Sequence, residues 1–253
     1  MKLSCIVVLA AALSAMAAAA APAETPKTQT VYAFDRSSAA GIEGAITIRH
    51  GDDTEAAWIL ASLDFRDLDL DGVRASDPQC KTLKEFKLFQ YHIHVHWNAS
   101  PASKTSDAFA GCGKPVTGNH YDPDKACGPS SEFAGTPACD GKAAKYVCTP
   151  EAYAKDPRVC EKGDLSGKLG NLMLGDNAFV NAEWKDPHFP SALERKPHWS
   201  IVLHAVCGTA TPRVACAVGV ETEQSAAEDD KDKVVKNTEV YDAGVEWIDE
   251  LRG

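Results

Sequence analysis

The stretch from Phe89 to Trp97 constrains the fold of this chain more than any other. Apart from its histidines it is aromatic, apolar and β-branched, a composition typical of a β-strand. Successive side chains of a strand point to opposite faces, so we expect His92, His94 and His96 on one face. An imidazole is costly to bury unpaired and is the commonest metal ligand in proteins. The stretch therefore predicts a metal platform, with the polar outer face of an edge strand as the alternative.

The N-terminus has the features of a secretory signal peptide. Lys2 is followed by an apolar, alanine-rich run and then by small residues. We expect a signal peptide over residues 1–23, cleaved near Ala21–Ala23, and a secreted, extracellular protein. No later stretch approaches the roughly 18 apolar residues that span a bilayer, so we expect no membrane span.

Removal of this segment discards Cys5 and leaves eight cysteines. An even number in an exported chain indicates disulfides, although the spacing alone does not resolve their pairing. Five of them lie between residues 112 and 160, a region poor in apolar runs. Disulfides there would hold a long segment that has little hydrophobic core of its own. The eight are Cys80, Cys112, Cys127, Cys139, Cys148, Cys160, Cys207 and Cys216.

Most of the net negative charge lies in the C-terminal tail. The net charge is -10, and residues 221–253 contain eleven acidic and four basic residues. This acidity argues against nucleic-acid binding. Within the tail, the charged stretch 224–236 predicts a linker. Apolar residues at helical spacing over 240–251 predict a short amphipathic helix that docks on the body of the protein or on a partner.

Short strand-like runs separated by turn residues predict an all-β fold, an antiparallel sandwich or barrel. About 230 mature residues are enough for one large β domain or two small ones. Between residues 98 and 169 the strand pattern ends, and a loop region of that length is normally functional. The runs lie at residues 30–34, 44–49, 58–70, 86–97, 178–184, 199–206 and 214–220.

Two further histidines lie in segments that suit a metal ligand. His120 is flanked by Gly118 and Pro123, which fix the local path of the backbone. His204 lies in an apolar strand, where a histidine is either a satisfied core residue or a ligand. Structural roles are expected for the remaining three, His50, His188 and His198.

Five segments occur in an order that matches one enzyme family. They are His92–His94, Cys112–Pro123, Cys160–Lys168, Ser200–His204 and Arg213–Ala217. The series resembles the secreted, copper-only branch of the copper/zinc superoxide dismutase superfamily of fungi and oomycetes. The resemblance covers roughly residues 30–220. It implies a Greek-key β-barrel of about eight antiparallel strands over residues 24–220. The residue patterns above add long disulfide-bonded loops and a short C-terminal helix.

The resemblance also implies a metal site and its surroundings. A disulfide would join Cys112 to Cys216, and the guanidinium of Arg213 would attract and orient superoxide. Glu161 would hydrogen-bond the second ring nitrogen of the bridging-type histidine, which fixes the nitrogen that faces the metal. One copper ion per chain would be held by His92, His94, His120 and His204.

Several departures from the zinc-containing branch lead us to expect no zinc. No histidine occurs between Tyr121 and Pro187. Asp164 matches a family aspartate, but one carboxylate cannot complete a four-coordinate zinc site, and a zinc–thiolate site ranks below disulfides. Glu161 stands where a zinc-ligand histidine would be, and a solvated surface pair is the alternative role for these two carboxylates. Few residues separate His204 from Arg213, so we expect the copper to be open to solvent.

The resulting hypothesis is an extracellular superoxide dismutase that converts superoxide to dioxygen and hydrogen peroxide. In the family, His120 would leave the reduced metal, pick up a proton and supply it to the product while Glu161 holds the ring. His96 has no assigned part and is either an extra copper-capture ligand or a residue at the rim. The sequon at Asn98 is weakened as a glycosylation site by Pro101.

Two alternatives stay open. A His-x-His strand with one further histidine also fits a zinc hydratase of the carbonic anhydrase kind. A non-catalytic secreted protein that sequesters or delivers copper would need the same ligands, but it would be indifferent to Arg213.

Overall fold

The computed structural model describes residues 28–50, 56–98 and 110–224. Eight antiparallel strands of this part form one nearly closed barrel, in the order β5-β4-β7-β8-β1-β2-β3-β6. The predicted signal peptide and the predicted C-terminal helix lie outside the described residues. The strands are β1 (Thr28–Phe34), β2 (Glu43–His50), β3 (Ala57–Asp64), β4 (Leu88–His94), β5 (Leu172–Met173), β6 (Phe179–Asp186), β7 (Ser200–Ala205) and β8 (Arg213–Glu223).

The connections follow Greek-key rules. Strands β1, β2 and β3 form a meander, and β8 returns to pair with β1. The connections from β3 to β4, from β5 to β6 and from β6 to β7 each cross between strands that are not neighbours. An antiparallel sheet with such crossovers is the Greek-key architecture, so the all-β prediction is confirmed.

The alternation of side chains explains how the strands build the core. Ile46 and Ile48 of β2, and Ile59, Ala61 and Leu63 of β3, are buried, while the residues between them are more exposed. Burial on one face with period two is what a half-buried strand requires. In contrast, every residue of β7 is buried. A histidine on β7 is therefore placed inside the protein by its strand.

The predicted strand over residues 58–70 is too long. β3 ends at Asp64, and a helix follows the turn at residues 65–69. The Asp69 side chain accepts a hydrogen bond from the Gly72 N–H, 2.9 Å away, and so caps this helix. None of the helices in the described part of the chain is long and apolar enough to cross a membrane. The helices are α1 (Leu70–Ser76), α2 (Lys114–Thr117), α3 (Pro150–Tyr153) and α4 (Leu165–Leu169), with 3-10 turns at 110–112, 137–139, 143–145 and 157–159.

The prediction that His96 shares a strand face with His92 and His94 is wrong. β4 ends at His94, and His96 is exposed. Its backbone N–H donates to the Thr117 carbonyl at 3.0 Å, and its ring lies 6.2 Å from that of His198. The backbone after His94 thus pairs with the loop at residues 117–119 and no longer belongs to the strand.

Four disulfides join all eight cysteines of the described part. Cys80–Cys207 and Cys112–Cys216 connect positions 127 and 104 residues apart. The other two, Cys127–Cys139 and Cys148–Cys160, each join cysteines 12 residues apart within the loop region between β4 and β5. Disulfides persist in oxidising compartments, so the protein is built for such a compartment.

Candidate metal centre

Strand register brings distant side chains to one end of the barrel. In the pairing of β4 with β7, Gln90 lies opposite His204 and His92 lies opposite Val202. In the pairing of β7 with β8, His204 lies opposite Arg213, next to an irregularity in the register. The hairpin thus places an imidazole and a guanidinium side by side.

The His120 loop continues the sheet along the other edge of β4. The Val95 N–H donates to the Asn119 carbonyl, and the Tyr121 N–H donates to the Ile93 carbonyl, both at 3.0 Å. These bonds pair His120 with His94 in an isolated β-bridge. Backbone pairing therefore carries the third metal-ligand candidate to the first two.

Gly163 locks a second loop segment into the same place. Its carbonyl accepts from the Ile93 N–H and its own N–H donates to the Tyr121 carbonyl, both at 2.8 Å. A Cβ at this position would lie 2.6 Å from the Ile93 oxygen and 2.8 Å from the Tyr121 nitrogen, so only glycine fits. This close approach places Glu161 and Asp164 beside the histidines.

The structure brings together the four histidines expected to bind metal. One ring nitrogen from each lies within 4.8 Å of the others, and all four residues are buried. The Nε2 atoms of His94 and His204 are 3.4 Å apart, and the rings of His92 and His120 are 4.1 Å apart. Four imidazoles from three separate segments therefore point into one small volume.

Backbone carbonyls select the free nitrogen at two of these rings. Nδ1 of His94 lies 3.1 Å from the Gly118 oxygen, and Nδ1 of His204 lies 2.9 Å from the Thr211 oxygen. A carbonyl oxygen only accepts, so each Nδ1 carries the hydrogen of a neutral ring. The lone pair of each Nε2 is then left facing the cluster.

His92 presents its other nitrogen. Its Nε2 lies 3.4 Å from Asp164 Oδ1, while its Nδ1 is buried and has no hydrogen-bond partner among the described residues. An unpartnered polar atom in a protein interior is costly and calls for an explanation. A cation held by the cluster would take this nitrogen as a ligand.

Electrostatics keep the cluster uncharged at neutral pH. Burial is the main cause that lowers the pKa of all four histidines, to about 4 for His120. The charge of Arg213 adds to this effect at His94, His120 and His204. Neutral imidazoles keep the lone pairs that a metal ion requires.

The two carboxyl groups differ in their ionisation. Burial, followed by the charges of Asp164 and Asp122, raises the pKa of Glu161 to about 9. Burial would also raise the pKa of Asp164, but its interaction with His92 outweighs that effect and holds this pKa below its usual range. Glu161 Oε2 lies 2.6 Å from Nδ1 of His120. Both residues are buried, so the alternative role as a solvated surface pair is wrong.

Arg213 is fixed at the entrance by the loop that precedes His120. Its Nη1 donates to Thr117 Oγ1 at 2.6 Å, and its Nη2 donates to the Gly118 carbonyl at 2.9 Å. The side chain is half-buried and lines an open cleft of about 660 Å³ together with His92, His120 and His204. A small anion that enters this cleft therefore meets a fixed positive charge beside the imidazoles.

Cys112 and Cys216 form the disulfide that the resemblance implied. It lies at the start of the segment whose Thr117 and Gly118 hold Arg213. The bridge thereby ties the loop that carries these acceptors to β8, the strand on which Arg213 lies.

The sequence interpretation missed three contributors. Thr117 binds the arginine, and Gly163 positions the carboxylates. The hydroxyl of Tyr146 donates to Asp164 Oδ2 at 2.8 Å and accepts from the Glu161 N–H at 3.1 Å. Nothing in the sequence indicates that Tyr146, a tyrosine in a cysteine-rich loop, makes such a contact. In contrast, a glycine between two candidate site residues, as Gly163 is, does indicate a close backbone approach.

The donor set fits a transition metal. Imidazole ligands suit copper, zinc, iron and nickel, and the four donors include neither thiolate nor carboxylate. A catalytic zinc site keeps three protein ligands and an open position, whereas four imidazoles converge here. The second nitrogen of His120 is taken by Glu161 rather than left for another ion.

Comparison with known proteins gives matches among solved structures. No protein-family model and no curated protein sequence matches the chain. Candida albicans superoxide dismutase 5 with Cu(II) is 24% identical, with a TM-score of 0.45, over 80% of this chain and 95% of that chain. A mutant of the same enzyme is 20% identical, with a TM-score of 0.43, over 79% and 95% of the two chains. At this level of similarity, the side chains of the site itself carry any functional assignment.

Proposed function

We propose that this chain is a secreted, copper-dependent superoxide dismutase of the copper-only type, with one copper and no zinc per chain. The observation that carries the proposal is the set of four buried, neutral imidazoles with their free nitrogens within 4.8 Å of one another. The four disulfides and the signal-peptide pattern of residues 1–23 support export. The substrate is superoxide, and two superoxide ions with two protons give dioxygen and hydrogen peroxide.

His92 would bind the metal through Nδ1, and His94, His120 and His204 would bind it through Nε2. The partners of the other ring nitrogens support this assignment. A bound copper ion supplies the one-electron oxidation and reduction that the disproportionation of superoxide needs. Imidazole suits copper well enough to keep the ion in place.

Arg213 would attract the anionic substrate and orient it in the cleft. Its guanidinium is already held by Thr117 and Gly118, so the side chain loses little conformational entropy when the anion binds. An open cleft focuses the field of the protein weakly, which leaves most of the attraction to this one charge.

Glu161 would hold the ring of His120 while its Nε2 exchanges partners. Nε2 of His120 is an atom that can hold either the metal or a proton, and His120 lines the cleft. Because Nδ1 stays bound to Glu161, the ring keeps its orientation in both situations. Asp164 would fix the His92 ring in the same way.

The test is metal analysis of the purified protein together with pulse radiolysis of superoxide decay. We expect one copper per chain, no zinc and rapid turnover. His120→Ala should abolish turnover, and Glu161→Ala should mainly slow the reoxidation of the copper by superoxide. Unaltered rates in both variants would refute the proposed roles.

The same measurements separate the alternatives. Zinc as the bound metal, with hydration of carbon dioxide, would identify a hydratase. Bound copper without any effect on superoxide would indicate a sequestering or delivery protein, and the proposed activity would then be wrong.

A further inference from the structure

Tyr146 makes two hydrogen bonds that join the candidate site to the cysteine-rich loop. Its hydroxyl donates to Asp164 Oδ2 at 2.8 Å and accepts from the Glu161 backbone N–H at 3.1 Å. Asp164 lies 3.4 Å from Nε2 of His92, and Glu161 lies 2.6 Å from Nδ1 of His120. One hydroxyl thus contacts both residues that fix the rings of ligand candidates.

The covalent structure holds Tyr146 in this position. Cys148, two residues after Tyr146, forms a disulfide with Cys160, the residue before Glu161. The bridge keeps the two segments in contact without relying on a hydrophobic core. Few apolar residues are available in this loop to do the same.

Packing at Gly128 closes the arrangement from the other side. A Cβ there would lie 2.5 Å from Glu161 Oε1 and 2.9 Å from a ring carbon of Tyr146. The Gly128 backbone N–H also interacts with the Glu161 carboxyl. This carboxyl is therefore held by its bond to His120 and by Gly128, and the Tyr146 ring packs beside the same glycine.

We infer that Tyr146 is a positioning residue of the metal centre, which acts through Asp164 and Glu161 to fix the orientation of His92 and His120. The catalytic part of this role rests on the proposed function, whereas the orientation of the two rings does not. A hydroxyl between the two carboxylate-bearing positions couples them, so its loss should loosen both rings at once.

The chemistry of the hydroxyl supports this role. Burial and the nearby charges of Asp164 and Glu161 raise the pKa of Tyr146 well above its usual value. The hydroxyl therefore keeps its hydrogen and donates it to the Asp164 carboxylate. This bond leaves the other oxygen of Asp164 for His92 and for the Gly167 N–H at 2.8 Å.

The test removes only the hydroxyl, with Tyr146→Phe, and uses Tyr153→Phe as the matched control. Tyr153 lies in the same loop region and donates to the buried Asp186, away from the cleft. The two readouts are the imidazole ¹⁵N chemical shifts of the metal-free protein and the copper dissociation constant measured by competition with a chelator. Neither readout depends on turnover.

We expect Tyr146→Phe to shift the ¹⁵N signals of His92 and His120 and to weaken copper binding by roughly tenfold, the low end of the effect of losing a partner of a metal ligand. Tyr153→Phe should lower the melting temperature and leave both readouts unchanged. Unchanged shifts and an unchanged dissociation constant in Tyr146→Phe would overturn the inference. Equal effects of the two substitutions would also overturn it, since they would indicate general destabilisation.

A double-mutant cycle covers the case in which Tyr146→Phe is less stable. In an Asp164→Asn background, Tyr146→Phe should weaken copper binding by less than half as much, on the free-energy scale, as in the wild type. Full additivity would contradict the role. Copper binding without superoxide turnover in the wild type would refute the proposed function alone, and the Tyr146 effect on copper affinity would still be measured.

Discussion

At the scale of single residues, the hydrogen-bond partner of each imidazole decides which nitrogen is left for a cation. His94 and His204 give their Nδ1 atoms to carbonyl oxygens, and His120 gives its Nδ1 atom to a carboxyl group. His92 alone turns its Nε2 toward Asp164 and leaves Nδ1 free. A motif can predict that these four residues are ligands, but the choice of nitrogen depends on partners that lie far away in the sequence.

Arg213 supplies the first prediction at this scale. Arg213→Ala should keep the copper content and lower the rate of superoxide decay by about tenfold, because a fixed charge beside the site is lost. Arg213→Lys keeps the charge but cannot make both hydrogen bonds of the planar guanidinium, so it should retain only part of the rate. Pulse radiolysis at low and high salt measures both effects.

The control for this prediction is Arg158→Ala, since Arg158 is exposed and pairs with Asp156 away from the cleft. It should leave the rate and its salt dependence unchanged. An equal loss in this variant would assign the effect to net charge rather than to Arg213.

At the scale of elements, the site depends on loop segments that pair with the backbone of β4. The sequence predicted the strands that carry His92 and His204, because their apolar patterns are local. It could not predict the end of β4 at His94, because the pairing of Val95 with Asn119 is a contact between distant segments. The same limit explains why His96 does not share a strand face with His92 and His94, since it lies beyond the end of the strand.

Gly163 gives a prediction for the loop that carries the two carboxylates. Gly163→Ala should lower the free energy of unfolding by about 2 kcal/mol, because the new methyl group meets backbone atoms of Ile93 and Tyr121 that cannot move aside. Urea unfolding measures the loss. In Gly175→Ala the Cβ meets a side-chain oxygen of Asn177 at 3.2 Å and the Phe179 carbonyl at an ordinary contact distance of 3.8 Å. A loss as large as that of Gly163→Ala would therefore contradict the steric argument.

Glu194 gives a pH-dependent prediction for the segment between β6 and β7. Burial would raise its pKa, but bonds from Lys162, the Ser191 N–H and the Tyr121 hydroxyl outweigh burial and lower it from 4.5 to about 2. A carboxyl group with a lowered pKa in the folded state stabilises the protein above its unfolded pKa, and this contribution is lost as the pH falls through the folded pKa. Lys162 and Tyr121 adjoin Glu161 and His120, so the bonds also brace the site.

Glu194→Gln should therefore be less stable than the wild type at pH 7, and the difference should shrink between about pH 4.5 and pH 2. Urea unfolding at a series of pH values measures it. The control is Glu183→Gln, which removes one charge from an exposed position on β6. A difference for Glu194→Gln that is constant over this pH range would contradict the assignment of the lowered pKa.

At the scale of the whole molecule, the sequence predicted the all-β class but not every strand of the sheet. Seven strand-like runs with turn residues between them predicted an all-β fold, while the two-residue strand β5 left no pattern to detect. The helix α1 was also missed, since its buried face consists of Val73 alone. Without the resemblance, cysteine spacing left the disulfide pairing open, because pairing depends on the folded positions of the cysteines.

Three of the four disulfides give the last prediction, a ranking by the length of chain that each one closes. Constraining an unfolded chain stabilises the fold more for a longer loop: about 4.7 kcal/mol for a loop of 100 residues against about 3 kcal/mol for one of 15. Removal of Cys80–Cys207 or Cys112–Cys216 by paired alanine substitution should therefore lower stability more than removal of Cys127–Cys139. Calorimetry of the three variants gives the order. Copper affinity separates the two long bridges. Of these two, only Cys112–Cys216 adjoins the loop that holds Arg213 and leads into His120. Loss of this bridge should therefore weaken copper binding, while loss of Cys80–Cys207 should not. Equal stability of all three variants would show that the closure of long loops is not what these bridges contribute.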